Sequence, residues 1–236
     1  MHALVTGGAQ GLGYATADSL IENGWEVTLL DRNKDSLRNA ASTLGCNFFS
    51  ADITDHNSIQ SFFNSLPKLD ALVNNAGIWV PQHIESMSVS DQTNVMNVNV
   101  LGTVLCTKYA LPLLRNSEQG AIVNVSSLAA QTNSPGLGLY AASKSAIETL
   151  TKQWAVELAP IRVNAVAPGL IITEGTSENY RGEAGQLRAK AVPLGRVGQP
   201  NDVAEAIAFL LSESASYVSG QIISIDGGLG AGSPQR

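Results

Sequence analysis

Residues 3–13 read Ala3-Leu4-Val5-Thr6-Gly7-Gly8-Ala9-Gln10-Gly11-Leu12-Gly13, a short apolar run that breaks into a glycine-rich turn and then continues as a helical pattern. A fully apolar strand has no polar face to give to water, so it belongs in a sheet covered on both sides. Glycines let the backbone turn sharply and come close to a pyrophosphate. The helix that follows offers unpaired N–H groups and a partial positive charge at its start. The spacing is G-x-x-x-G-x-G, not the common G-x-G-x-x-G fingerprint. Such a turn can be purely structural, but its place as the first strand-to-helix turn favours a nucleotide. On that reading Gly7, Gln10, Gly11, Leu12 and Gly13 hold the ligand.

The pattern repeats outward from this stretch. Ala3–Thr6, Glu26–Leu30, Asn47–Ser50, Ala71–Val73, Ala121–Val125, Arg162–Val166 and Gln221–Ile225 read as strands. Helical patterns fall near 12–23, 34–44, 55–66, 88–115 (two helices), 140–158 and 200–212. Apolar strands alternating with helices predict an α/β fold, a single Rossmann-type, doubly wound parallel sheet of about seven strands. Ligands of such folds bind beyond the carboxyl ends of the strands, where strand order reverses.

The 236 residues fit one domain, 1–236, with 44% hydrophobic and 14% charged residues. A net charge of -6 without a cluster of Lys and Arg speaks against nucleic acid and anionic membranes. Cys46 and Cys106 lack metal-ligand spacing and read as buried, reduced thiols of a cytoplasmic protein; no metal is expected. Met1 leads straight into a strand pattern, so no signal peptide is expected. The closing residues 230–236 read as a short tail.

Three further turns carry polar residues. Asp31, 18 residues beyond Gly13, ends the second strand, where a carboxylate accepts hydrogen bonds from ribose hydroxyls and repels a 2′-phosphate. Arg32 beside it pulls the other way, since a guanidinium binds such a phosphate. The balance favours NAD, with NADP second. Asp52, followed by Ile53, can accept from an adenine amino group or start a helix, although Thr54 or Asp55 is the better cap. Asn74-Asn75-Ala76-Gly77 follows the fourth strand, with small residues that allow close packing on a cofactor.

Tyr140 stands four residues before Lys144 and thirteen after Ser127. A free phenol has a pKa of about 10 and is a poor base at neutral pH. An ammonium on the same helix face lowers it. A serine hydroxyl can then bind the oxygen that gains or loses the proton. Taken alone, a Tyr and a Lys at this spacing make an ordinary helix face; the rest of the chain gives the pair meaning.

Together these residues resemble the short-chain dehydrogenase/reductase family over essentially the whole chain. The matches are Thr6 to Gly13, Asn74-Asn75-Ala76-Gly77, Asn99 in Val98-Asn99-Val100, Ser127, Tyr140-Ala141-Ala142-Ser143-Lys144, and Pro168-Gly169 with Thr173. The stretch from Pro193 through Asp202 to Gly228 resembles the family's bacterial 3-oxoacyl-carrier-protein reductases. The resemblance implies a catalytic set of Asn99, Ser127, Tyr140 and Lys144. Tyr140 acts as general acid/base, Ser127 binds the substrate oxygen, and Lys144 holds the nicotinamide ribose and lowers the tyrosine pKa. Asn99 holds a water on the proton's route to solvent. Asn75, Ala76, Gly77, Pro168, Gly169, Ile171 and Thr173 complete the cofactor site.

The implied reaction is hydride transfer between NAD(H) and a secondary alcohol or ketone, a small molecule. Ile78, Trp79, 134–139 and 170–192 border the substrate, and 174–192, rich in glycine and poor in periodicity, reads as a mobile lid or an exposed connector. The resemblance also implies a homo-oligomer, a tetramer or dimer, through 98–115 and 140–158, where Ala141, Ala146, Ile147, Leu150 and Trp154 either face a partner or pack on the chain's own sheet. Two alternatives stand: an NADPH-dependent 3-oxoacyl-carrier-protein reductase, and a non-catalytic dinucleotide-binding regulator, which predicts a broken Ser–Tyr–Lys set.

Overall fold

The computed structural model describes residues 1–232. Its first half runs β1 (His2–Thr6), α1 (Gly11–Glu22), β2 (Glu26–Asp31), α2 (Lys34–Leu44), β3 (Asn47–Ser50), α3 (His56–Ser65) and β4 (Ala71–Asn74). Then come α4 (Val89–Met96), a π turn (Asn97–Gly102), α5 (Thr103–Leu114), β5 (Ala121–Val125) and α6 (Gly138–Glu157). The chain closes with β6 (Arg162–Pro168), α7 (Gly182–Ala191), α8 (Pro200–Leu211) and β7 (Ile222–Ile225).

All seven strands lie parallel in one sheet, in the order β3-β2-β1-β4-β5-β6-β7. The period of two along each strand divides the core. In β1, β4 and β5, residues Ala3, Val5, Ala71, Val73, Ala121 and Val123 pack with Leu20, Leu37, Ile207 and Leu210 of α1, α2 and α8. Their neighbours Leu4, Leu72 and Ile122 point the other way, onto Ile59 and Phe62 of α3, Cys106 and Ala110 of α5 and Trp154 of α6. This two-sided burial is why these strands read as unbroken apolar runs.

Strand predictions hold within two residues at every end. The stretch 88–115 holds the two expected helices, α4 and α5, joined without a break by the π turn. Of the expected tail, Leu229–Ala231 forms a 3₁₀ turn, and residues 233–236 lie outside the described residues. Cys106 is fully buried and Cys46 half-buried, and both are free thiols.

Close approach dictates one glycine of the first turn. Gly7 has φ +65°, and a Cβ on Gly13 would come within 2.6 Å of Asn75 Nδ2 and nearer still to the Gly7 carbonyl oxygen. That oxygen is backbone and has nowhere to move. Gly13→Ala is therefore expected to lose about 1–3 kcal/mol through overpacking. A lower urea midpoint at unchanged slope would register the loss, and an unchanged midpoint would contradict it.

Candidate active site

β1 and β4 are neighbours, yet the chain leaves β1 toward β2 on one side and β4 toward β5 on the other. A crevice must open where the two turns part. Thr6 and Asn75 knit its floor: Asn75 Nδ2 donates to the carbonyls of Thr6 (2.9 Å) and Gly7 (3.0 Å), and Thr6 Oγ1 accepts from Asn75 N and Ala76 N, both at 3.1 Å. Above it lies a cleft of about 490 Å³. Gly7, Gln10, Gly11, Leu12, Asp31, Asn75, Ala76 and Gly77 line one part; Ser127, Tyr140, Lys144, Pro168, Gly169, Ile171 and Thr173 line the other. Past Asp31 a recess of about 100 Å³ continues to Arg32, Asp52 and Ile53.

Asp31 is tied in place by the turn it faces. One carboxylate oxygen accepts from Ala9 N at 3.3 Å, the other from Asn33 N at 3.0 Å. Asp52 does not cap α3; its Oδ1 accepts from Thr54 N (2.9 Å) and Thr54 Oγ1 (2.7 Å), while Asp55 takes the cap through Asn57 N and Ser58 N. Gly13 does not line the cleft and contributes through packing.

The two serines after β5 divide their roles. Ser126 also borders the cleft, but its hydroxyl is engaged by Lys144 O (3.2 Å) and Glu148 Oε1 (3.1 Å). Ser127 lines the cleft with Tyr140. Tyr140 sits in the first turn of α6 and Lys144 one turn further on, so one helix delivers both. Lys144 Nζ donates to Val125 O at 2.8 Å and lies 5.9 Å from the centre of the Tyr140 ring.

Electrostatics correct one expectation. Lys144 was expected to lower the Tyr140 pKa, yet burial pushes the phenol above its ordinary value, with only the Ser127 hydroxyl opposing. The same burial brings the Lys144 ammonium down to about 8. Desolvation disfavours phenolate and ammonium alike, because each is the charged form of its group. In the protein alone, then, the lysine surrenders its proton before the tyrosine does.

Asn99 does not line the cleft. Its amide bridges the Ile78 backbone, accepting from Ile78 N (2.8 Å) and donating to Ile78 O (2.9 Å), and also donates to Ser143 Oγ (3.0 Å). The side chain expected to hold a water is thus engaged by protein. It sits in the π turn, an irregularity that concentrates at functional sites. Gly77 lets this bridge and the lysine come together: a Cβ there would lie 3.2 Å from Asn99 Oδ1 and 3.3 Å from Lys144 Nζ.

Known proteins share this architecture. The family model described as enoyl-(acyl carrier protein) reductase matches residues 7–230. The 3-oxoacyl-[acyl-carrier-protein] reductase FabG of Thermotoga maritima is 40% identical, over 96% of this chain and 96% of its own. A cyclopentanol dehydrogenase of a Comamonas species is 37% identical, over 95% of each chain. A short-chain type dehydrogenase/reductase structure from Mycobacterium ulcerans superposes with a TM-score of 0.94 at 31% identity, covering 98% of this chain and 90% of that one. The chain belongs to the short-chain dehydrogenase/reductase family. It is accordingly an NAD(P)-dependent oxidoreductase acting on CH–OH or ketone groups.

In this short-chain dehydrogenase/reductase a second cavity, of about 410 Å³, adjoins the cleft at Ser127 and Tyr140. Trp79 lines both, is 43% exposed, and meets the Tyr140 ring edge-on with centroids 6.5 Å apart, so it is a wall and not core packing. The segment 174–192, expected as a lid or an exposed connector, forms a 3₁₀ turn (Ser177–Tyr180) followed by α7. Its apolar periodicity is weak because one glycine, Gly185, is its only buried residue. Tyr180 and Arg188 come from the segment 170–192 expected to border the substrate, whereas Leu229 lies outside every expected stretch and carries no motif that announces it.

Burial separates the residues of the candidate partner face. Ile147 and Trp154 are buried within their own subunit, against the sheet, while Ala141, Ala146 and Leu150 are half-buried. Among the described residues no helix is long and apolar enough to cross a membrane, and no group of His, Cys, Asp or Glu is placed to hold a metal.

Proposed function

We propose that this enzyme interconverts a small secondary alcohol and its ketone with NAD as the preferred dinucleotide, and that Tyr140 moves the proton. The observation that carries the reading is that Ser127, Tyr140 and Lys144 share one cleft with the glycine turn and Asp31. Gly7, Gln10, Gly11 and Leu12 hold the pyrophosphate at the start of α1, and Asp31 accepts from the ribose hydroxyls, with Arg32, Asp52 and Ile53 beside the adenine. Pro168, Gly169, Ile171 and Thr173 hold the nicotinamide end. The bound dinucleotide supplies or accepts the hydride.

The remaining work falls to the chain's own side chains. Ser127 donates to the substrate oxygen. Tyr140, a protonated phenol at neutral pH, gives its proton to a ketone oxygen in reduction and takes one from the alcohol in oxidation. Lys144 presents its positive charge toward the phenol up to about pH 8. Asn99 acts as a positioning residue: it holds the Ile78 backbone beside the lysine. We further read the chain as one cytoplasmic domain, 1–236, that assembles as a homo-oligomer, with 174–192 moving as a lid over the substrate.

Asp31 decides the cofactor. Replacing it with alanine removes both the hydrogen-bond acceptor and the charge that disfavours a 2′-phosphate. The ratio of kcat/KM for NAD over NADP is expected to fall about 10- to 100-fold in Asp31→Ala, the range of a hydrogen bond to a charged group. An unchanged ratio would remove Asp31 from cofactor selection. A second reading, NADPH-dependent reduction of the 3-keto group of a carrier-bound acyl chain, is favoured by the similarity to the Thermotoga FabG protein. A carbocyclic alcohol is favoured by the similarity to cyclopentanol dehydrogenase. Comparing ketone and carrier-thioester substrates with both cofactors separates them.

A further inference from the structure

The cavity that adjoins Tyr140 is uneven in its chemistry. Its lining combines the apolar Trp79, Leu137 and Leu170 with the hydroxyls of Thr132, Ser134 and Thr176, and the 174–192 segment contributes Tyr180 and Arg188. Among the described residues that line it, Arg188 carries the one charge, and none is acidic. We propose that Arg188 receives an anionic group, a carboxylate, at the far end of the substrate, so that the natural substrate is a hydroxy acid or keto acid whose apolar body separates the acid from the reacting carbon. This rests on the oxidoreductase reading above and narrows its substrate class.

The guanidinium is aimed and not loose. It stacks on the Tyr180 ring with its centre 5.5 Å from the ring centroid, and one of its nitrogens donates to the Asn179 carbonyl. Stacking orients the plane of an arginine, and one anchored nitrogen leaves the others of the fork for a bidentate acceptor. Among the described residues Arg188 forms no ion pair: Glu183, the nearest acid in sequence, pairs with no cation, and Glu178 pairs with Arg181 at 2.9 Å. Arg188 is itself solvent-exposed and stands at the rim of the cavity, where a stacked and anchored guanidinium can receive a carboxylate through charge-assisted hydrogen bonds. An internal carboxylate partner would have cancelled that function, and a neutral substrate would leave the guanidinium with no counterpart.

The test compares keto acids of increasing chain length with their methyl esters, in the wild type, in Arg188→Gln and in Arg188→Lys. At one chain length the acid is expected to exceed its ester in kcat/KM by about 10- to 100-fold, carried mainly by KM. In Arg188→Gln that ratio collapses toward one, and Arg188→Lys restores part of it, since an ammonium keeps the charge but not the fork. A saturated acid of the same length, which cannot react, should quench tryptophan fluorescence of the wild type saturably, and do so only at far higher concentration in Arg188→Gln. An ester favoured over its acid in the wild type, or an acid-to-ester ratio unaffected by Arg188→Gln, overturns the proposal. Turnover of the esters with an NAD(P) cofactor reports on the oxidoreductase reading separately. If esters turn over while acids show no advantage, only the assignment of Arg188 fails.

Discussion

Tyr140→Phe is expected to lower kcat/KM by about 10³-fold, in the middle of the range for losing a positioned acid/base group. The phenylalanine keeps the ring that meets Trp79 and the first turn of α6, so the fold and the shape of the cleft stay as they are. What leaves is one hydroxyl, the group placed with Ser127 where the cleft and the substrate cavity meet. The dissociation constant for the dinucleotide, measured by protein fluorescence, should change less than about threefold, well under the 1.4 kcal/mol that a tenfold change represents. Activity within tenfold of the wild type would show that some other group moves the proton.

Lys144→Met is expected to cost about 10²- to 10³-fold, the scale of removing one preorganised electrostatic partner from a water-poor site. Methionine is similar in length and apolar, so two effects on stability oppose each other. The Val125 carbonyl loses its 2.8 Å donor, while a buried ammonium no longer has to be kept dry. The net change in unfolding free energy should stay within about 1 kcal/mol, which separates lost chemistry from lost fold. The pH dependence gives a sharper signature. Because burial brings the ammonium down to about 8, the wild-type advantage over Lys144→Met is present below that pH and shrinks as pH climbs through it. Equal pH profiles for the two proteins would mean the charge on Lys144 plays no part.

Both expectations come from the site in three dimensions and not from its motif. Tyr140 and Lys144 could be paired from their spacing, since a helix brings positions four apart onto one face. Their pKa order could not. Spacing contains the attraction between the two groups but not the dryness of their surroundings, and here desolvation dominates. Ser127 is assigned by resemblance, and the hydrogen bonds of its neighbour Ser126 to Lys144 O and Glu148 give that assignment a physical basis. Asn99 shows the opposite outcome. Its presence was legible, but its side-chain partners come from a backbone 21 residues away, which no local pattern announces.

The residues alone determined the seven strands, their parallel covering by helices, and the glycine turn at the head of α1, because these follow from a period of two, a period of 3.6 and local backbone sterics. They also determined which side chains could do chemistry. Tertiary structure decided the rest: that 174–192 carries helix α7, that Ile147 and Trp154 belong to the subunit's own core, and that Arg188 reaches the cavity beside Tyr140. Each of those depends on burial or on contacts between segments far apart in the chain. Such contacts fix desolvation and orientation, and neither quantity is a property of any short stretch of sequence.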